Sequence, residues 1–237
     1  MSVIDDAIVW LNDPLNWTLP TGIIARTQEH LWISGLAVGL GCLIAWPVGI
    51  ALGHFGRGGG FVVTVANLTR AIPTVALLTI FPLTFLGFGT PPIVIALTVF
   101  AIPPLLANAF LGLSEVDPEV REAAVGMGLS RWQLLTKVEL PLSVPYLASG
   151  FRTAAVQVIA TATLAAFVNG GGLGMIISRG FGLGLASGGG QVLAGGLLVA
   201  VLCLIAEGLL ALAERAVTPR PLRIRRKLSE SRVSMAA

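Results

Sequence analysis

The chain has 237 residues, of which 55% are hydrophobic and only 11% charged, with a formal net charge of +3. Soluble domains carry roughly 25% charged residues, so this chain has too little polar surface to cover a globule of its size, and a mean hydropathy of +0.87 points to lipid covering the remainder. An ordinary soluble domain is thereby excluded, and His30 and His54, the 2 histidines present, leave a histidine-based catalytic centre almost nothing to work with.

Taken in chain order, residues 1–30 read as an extracytoplasmic interfacial segment. Asp5 and Asp6 precede a short apolar run without the basic start or small-residue cleavage site of a signal peptide. Trp10 and Trp17 suit a membrane interface, and Pro14 and Pro20 interrupt any spanning helix. Residues 31–53, 71–114 and 180–206 then contain no charge, and each run is long enough to span at least once.

The expected fold class is all-α: a polytopic membrane protein with about five spanning helices, at 31–53, 62–85, 91–113, 143–168 and 191–213, within a transmembrane domain of 31–214. Residues 87–92, with two glycines and Pro91-Pro92, divide the long middle run. Gly35 with Gly39, and Gly49 with Gly53, have the spacing of small residues that let membrane helices approach closely within one bundle. Cys42 and Cys203 fall within spans and read as buried thiols, not as a disulfide or metal ligands.

Orientation follows from Lys and Arg, which resist translocation. Arg57, Arg121, Arg131, Lys137, Arg215, Arg220, Arg223, Arg225, Arg226, Lys227 and Arg232 fall on one side in this topology, and only Arg26 and Arg179 on the other. The N-terminus is therefore expected outside and the C-terminus in the cytoplasm, with residues 215–237 a basic cytoplasmic tail near lipid and not a nucleic-acid site. Arg70, Arg152 and Glu207 are charges set in apolar sequence. The two arginines read as reaching lipid phosphates or covering the base of a polar hairpin, and Arg152 with Glu207 as an intramembrane ion pair.

The most specific stretch is 115–141, a polar helical hairpin between two apolar segments. Asp117 is an N-cap candidate with Pro118 at the first helical position. Val120, Ala123, Ala124 and Met127 form an apolar stripe, and Gly126 and Gly128 supply a stop or left-handed turn. Ser130 with Gln133 makes a capping box for a second arm, in which Leu134, Leu135 and Val138 continue the stripe until Pro141 ends regular helix. No GxxxxGK[ST] phosphate loop occurs in the chain, so ATP hydrolysis is not expected on it.

Glu122, Ala123, Ala124, Gly128, Val138, Leu140 and Pro141 stand at the spacings of the EAA loop, and the hairpin resembles that coupling element of ABC-importer permeases. A DNA-reading hairpin is set aside because membrane flanks it on both sides. The resemblance narrows to the osmoprotectant branch through Gly126-Met127-Gly128, the run 137–141, Arg152-Thr153-Ala154, the run 161–167 and the run 171–174. It departs from that branch at Asn169-Gly170, Ala107 and Ala109.

That resemblance implies a type I ABC importer permease fold, with the hairpin between the third and fourth spans, in a prokaryotic cytoplasmic membrane. It also implies a set of partners: ABC ATPase subunits holding ATP and Mg, a second permease chain (itself or a paralogue), and a separate extracytoplasmic solute-binding protein. Coupling falls to Glu122, Ala123, Ala124, Gly128, Leu140 and Pro141, and no cofactor or metal is expected on this chain. The expected cargo is glycine betaine, choline or carnitine. With Tyr146 the 1 tyrosine, an aromatic cage for a quaternary amine falls to the binding protein.

Asn67, Asn108, Gln157, Thr161 and Thr163 are candidates for a polar translocation path, although such groups in membrane helices also bond to backbone. The alternatives are a permease for methionine or another small polar nutrient and, from another class, an ion-driven secondary transporter. The latter would need buried carboxylates or inverted halves, and Glu207 is the one mid-span carboxylate.

Overall fold

The structure, a computed structural model, describes residues 2–218, with Arg70 described by its backbone alone. The tail cations from Arg220 to Arg232 and the expected reach of the Arg70 side chain lie outside the described residues. Every regular element among the described residues is a helix. They are α1 (Val3–Asn12), α2 (Pro14–Thr18), α3 (Ile23–His54), α4 (Gly59–Ala71), α5 (Thr74–Ile80), α6 (Thr90–Ser114), α7 (Pro118–Gly126), α8 (Arg131–Leu134), α9 (Leu140–Ala162), α10 (Gly174–Gly182) and α11 (Leu185–Val217).

Four helical stretches among the described residues are long and apolar enough to cross a membrane: Pro14–His54, Thr90–Ser114, Arg131–Val168 and Leu185–Val217. A fifth crossing requires α4 and α5 to act together, and they meet at a bend of 77°. The expected continuous helix at 62–85 is thus broken. Pro73 disfavours helical backbone at the preceding residue, and Ile72 is extended, with φ −86° and ψ 120°. Pro47, Pro103, Pro104 and Pro145 lie inside helices without ending them, a tolerance seen where neighbouring helices restore the freed backbone groups.

α6 is the central helix, packed against α3 on one side and α9 on the other. Its most apolar stretch is 61% buried, whereas no residue in that of α11 is fully buried. Lipid offers as apolar a surround as another helix does, so association depends on close contact rather than on escape from water. The crossings are accordingly built on small residues. A Cβ added at Gly41 would stand 2.9 Å from Ala101 Cβ, at Gly49 2.7 Å from Ala109 Cβ, and at Gly53 2.8 Å from Leu113 Cβ.

On the other side of α6, Gly112 meets Tyr146 and Ser143, and Gly150 meets Asn108 and the Pro104 carbonyl. Of the two small-residue pairs read from sequence, only Gly49 with Gly53 joins the bundle. Gly35 and Gly39 face open space.

The end of the bundle away from the hairpin is closed by directed hydrogen bonds. Glu29 Oε2 accepts from the Gly172 N–H at 2.8 Å, and His30 Nδ1 accepts from the Leu173 N–H at 3.2 Å. The His30 Nε2–H then donates to the Ile159 carbonyl at 2.8 Å, which fixes a neutral tautomer for this buried ring. α3 begins at Ile23, inside the segment expected to be interfacial. The remainder of that segment forms α1 and α2. Ser2 and Asp5 cap α1 reciprocally, and the Ser2 N–H lowers the pKa of the Asp5 carboxyl below its ordinary value. α1 lies against α11, where a Cβ at Gly190 would stand 2.6 Å from Asp6 Cβ, and leaves Val3, Ile4, Ile8 and Val9 exposed.

Gly49→Leu is expected to destabilise the purified chain by about 1–3 kcal/mol through overpacking at the α3–α6 crossing. Gly39→Leu, with open space at that position, should stay within about 0.5 kcal/mol of the parent in the same thermal unfolding measurement.

Candidate functional site

The hairpin is built from local signals in the chain. Asp117 Oδ1 accepts from the Glu119 N–H at 3.0 Å, with Pro118 at the first position of α7. α7 closes with the paired bonds of a Schellman motif, Leu129 N–H to Ala124 O at 3.2 Å and Gly128 N–H to Val125 O at 2.9 Å. That motif needs a left-handed residue, and Gly128 has φ +85°. The second arm opens on a capping box, with Gln133 N–H to Ser130 Oγ at 3.3 Å and Ser130 N–H to Gln133 Oε1 at 2.9 Å.

The expected apolar stripe divides into two surfaces. Ala124 and Leu134 are buried, while Val120, Val125, Met127 and Trp132 face outward, Met127 with 75% of its surface exposed. Glu122 and Ala123 share that outer surface, and Glu122 has no ion-pair partner among the described residues.

Leu140 and Pro141 are not on this tip. The expectation that Pro141 ends the second arm is corrected, because the arm continues through a π turn at Leu135–Glu139 directly into α9. The Leu140 N–H bonds back to Leu135 O across the widened turn, and Pro141, which has no N–H to offer the ladder, follows that turn directly.

The base of the hairpin holds a buried charge cluster. Glu139, at the end of the π turn, is 0% exposed. Its Oε2 lies 2.5 Å from His54 Nδ1 at the end of α3, and its Oε1 3.3 Å from Arg121 Nε on α7. Arg121 Nη2 donates to the Leu113 carbonyl in the last turn of α6. Sequence reading missed this group because its members are scattered over separate elements, His54 and Glu139 being 85 positions apart. The available signal was a single carboxylate wedged between Val138 and Leu140 on the apolar side of an amphipathic arm.

Arg152, part-way along α9, stands between two carboxylates of α11. Its Nε is 3.4 Å from Glu207 Oε1, and its Nη1 is 2.9 Å from Glu214 Oε2. Glu207 and Glu214 are seven residues apart, two helical turns, and so share one face. Glu214 is the better buried, with an 8% exposed side chain against 45% for Glu207.

The candidate path residues lie on α4, α6, α9 and the turn after α9. Asn67 is exposed on α4. Asn108 sits at the α6–α9 crossing and donates to the Pro104 carbonyl at 2.8 Å. Gln157 is exposed on α9, Thr161 donates to the Gln157 carbonyl at 2.7 Å, and the Thr163 hydroxyl is buried without a partner in the 3-10 turn that follows. None of them lines the 390 Å³ cavity at the other end, which is bounded by residues such as Trp10, Asn16, Arg179 and Gln191.

Arg152→Ala is expected to cost about 1–3 kcal/mol, less than a fully buried pair because the arginine side chain is 28% exposed. Double-mutant cycles by thermal unfolding should give a larger coupling energy for Arg152 with Glu214 than for Arg152 with Glu207.

Comparison with known proteins bears on this arrangement. A family described as "Binding-protein-dependent transport system inner membrane component" matches residues 37–219. The glycine betaine/carnitine/choline transport system permease protein OpuCB of Bacillus subtilis (strain 168) is 35% identical over 207 residues, covering 87% of this chain and 94% of the relative. The carnitine transport permease protein OpuCB of Listeria monocytogenes is 38% identical over 208 residues, covering 88% and 94%. Among solved structures, a chain of the MetNI methionine ABC transporter in an inward-facing conformation superposes with a TM-score of 0.73 at 24% identity, covering 88% of this chain and 100% of that one, which establishes a common fold. By family, by close relatives and by fold, the chain is a member of the binding-protein-dependent inner membrane components, the permeases of ABC importers.

Proposed function

We propose that this chain couples ATP hydrolysis on separate ATPase subunits to import of a compatible solute such as glycine betaine, choline or carnitine. The observation that carries the coupling role is the outer surface of the hairpin. Glu122 and Ala123 lie beside the left-handed turn at Gly128 and the exposed Val120, Val125, Met127 and Trp132, with Ala124 buried beneath. An apolar patch around an unpaired carboxylate, on an element outside the apolar bundle, has the composition of a docking surface. The cargo class is supported by the substrates in the names of the relatives at 35% and 38% identity. The methionine transporter supports the fold and carries no substrate assignment.

In this reading the hairpin 115–141 enters a groove on an ATPase, which holds the ATP and Mg. Closure of the ATPase pair moves the hairpin as a lever and opens the interface with a second permease chain toward a solute-binding protein. Leu140 and Pro141 act at the root of the lever, where the second arm runs into α9. Asn67, Asn108, Gln157, Thr161 and Thr163 supply polar groups along the path, and Arg152 with its carboxylates holds α9 against α11. The distribution of Lys and Arg supports a chain in the prokaryotic cytoplasmic membrane with residues 1–30 outside, 31–214 in the membrane domain, and 215–237 in the cytoplasm.

The test is reconstitution with the ATPase and binding protein in proteoliposomes. Glu122→Ala and Gly128→Leu should each lower ATP-driven uptake while leaving the thermal unfolding of the isolated chain within about 0.5 kcal/mol for Glu122→Ala. At Gly128, a side chain in the left-handed region adds strain of roughly 1–2 kcal/mol confined to the turn. Undiminished uptake by both variants removes the coupling role from the hairpin.

A further inference from the structure

The geometry points to Glu139, Arg121 and His54 as a joint that fixes the hairpin to the bundle, making them positioning residues for energy coupling. This rests on the importer reading above and goes beyond its docking surface to the way the hairpin's displacement reaches the spanning helices. Covalent continuity takes the second arm into α9 and connects α7 to α6 through residues 115–117, but it gives the hairpin no link to α3. The Glu139–His54 contact supplies that link, and Arg121, bonded to the Leu113 carbonyl while it faces Glu139, clamps α7 onto the last turn of α6.

The chemistry of the joint argues against a role in stability alone. A fully buried carboxylate loses its hydration, and replacing such a charge group with well-packed apolar side chains is often neutral or stabilising. What a carboxylate supplies that Leu cannot is attraction toward two helices at once: Oε2 lies within hydrogen-bond distance of His54 Nδ1 on α3, and Oε1 faces the Arg121 guanidinium on α7 at ion-pair distance without an aligned hydrogen bond. The π turn at Leu135–Glu139 sits where the second arm passes into α9, and it ends on the residue that makes both contacts. A displacement of the outer hairpin surface is thereby delivered to α3, α6 and α9 together, instead of being absorbed by bending at the root of one helix.

The experiment uses the full complex of permease and ATPase in proteoliposomes, with the binding protein and radiolabelled glycine betaine supplied outside and ATP enclosed. The readout is solute taken up per ATP hydrolysed, with co-purification of the ATPase as the measure of docking. Glu139→Gln should still co-purify, because the outer hairpin surface is untouched, but should lower the uptake per ATP about fivefold or more. His54→Gln, which keeps a donor toward the carboxylate, should retain more of the parent ratio than His54→Leu, which keeps only volume.

An unchanged ratio in Glu139→Gln, or equal ratios for His54→Gln and His54→Leu, overturns the joint. If Glu139→Gln fails to assemble, the comparison at position 54 decides alone. Absence of ATP-driven uptake of glycine betaine, choline and carnitine alike by the parent complex overturns the importer reading and the joint with it, whereas parent uptake with unaltered ratios in the variants overturns the joint only.

Discussion

Helices in hydrocarbon gain nothing from hiding apolar surface from one another, so this bundle depends on how closely its backbones can approach. α6 carries that constraint for the whole molecule. It meets α3 at Gly41, Gly49 and Gly53, and it meets α9 at its own Gly112 and at Gly150, each position leaving no room for a Cβ. Thr98 adds a directed contact, its hydroxyl 3.2 Å from the Ala37 carbonyl on α3 while it bonds to Val94 within its own helix. The helices that grip α6 leave α11 at the margin, packed on α1, α9 and α10 with Leu197, Val201, Leu204, Ile205, Leu209 and Leu212 exposed.

Several of the polar groups inside the bundle are placed where a partner is available. At the end away from the hairpin the partners are backbone groups, and Glu29 and His30 collect the N–H groups of the loop at Gly172 and Leu173. In the hairpin half they are ion pairs of opposite composition. Glu139 is a carboxylate between Arg121 and His54, and Arg152 is a cation between Glu207 and Glu214. The first ties α3 and α7 to the root of α9, and the second ties α9 to α11. Backbone-directed bonds hold a loop in one place, while charge-assisted pairs between side chains give a fixed orientation between helices.

Much of the fold was legible because its causes are local. Apolar length identifies the spans, and the caps at Asp117 and Ser130 and the left-handed Gly128 appear in the structure as their residue types require. Local reasoning failed where a neighbour changes the outcome. Pro73 breaks α4 from α5, yet Pro47, Pro103 and Pro104 do not break their helices, since packing decides whether the freed carbonyls find other partners. Pro141 is absorbed by a π turn that no residue spacing announces. Gly35 with Gly39 has the same spacing as Gly49 with Gly53, but only the second pair meets another helix, because spacing gives a face and not the direction in which that face points.

The chain by itself determined a helical membrane protein with a capped polar hairpin, since hydropathy, capping and turn chemistry act over a few residues, and the spacing of Glu122, Ala123, Ala124, Gly128 and Pro141 carried the resemblance to importer permeases. The pairing of Arg152 with Glu207 was open to argument from depth, because both charges are costly in an apolar setting and few partners exist. Glu214 as the closer and better buried partner was decided only by the packing of α9 on α11. The same holds for the meeting of His54, Arg121 and Glu139. Each residue is unremarkable in its own segment, and their juxtaposition comes from the crossing of α3, α6 and α9, where the close contact of Gly53 with Leu113 lies directly beside His54 and the carbonyl that Arg121 bonds.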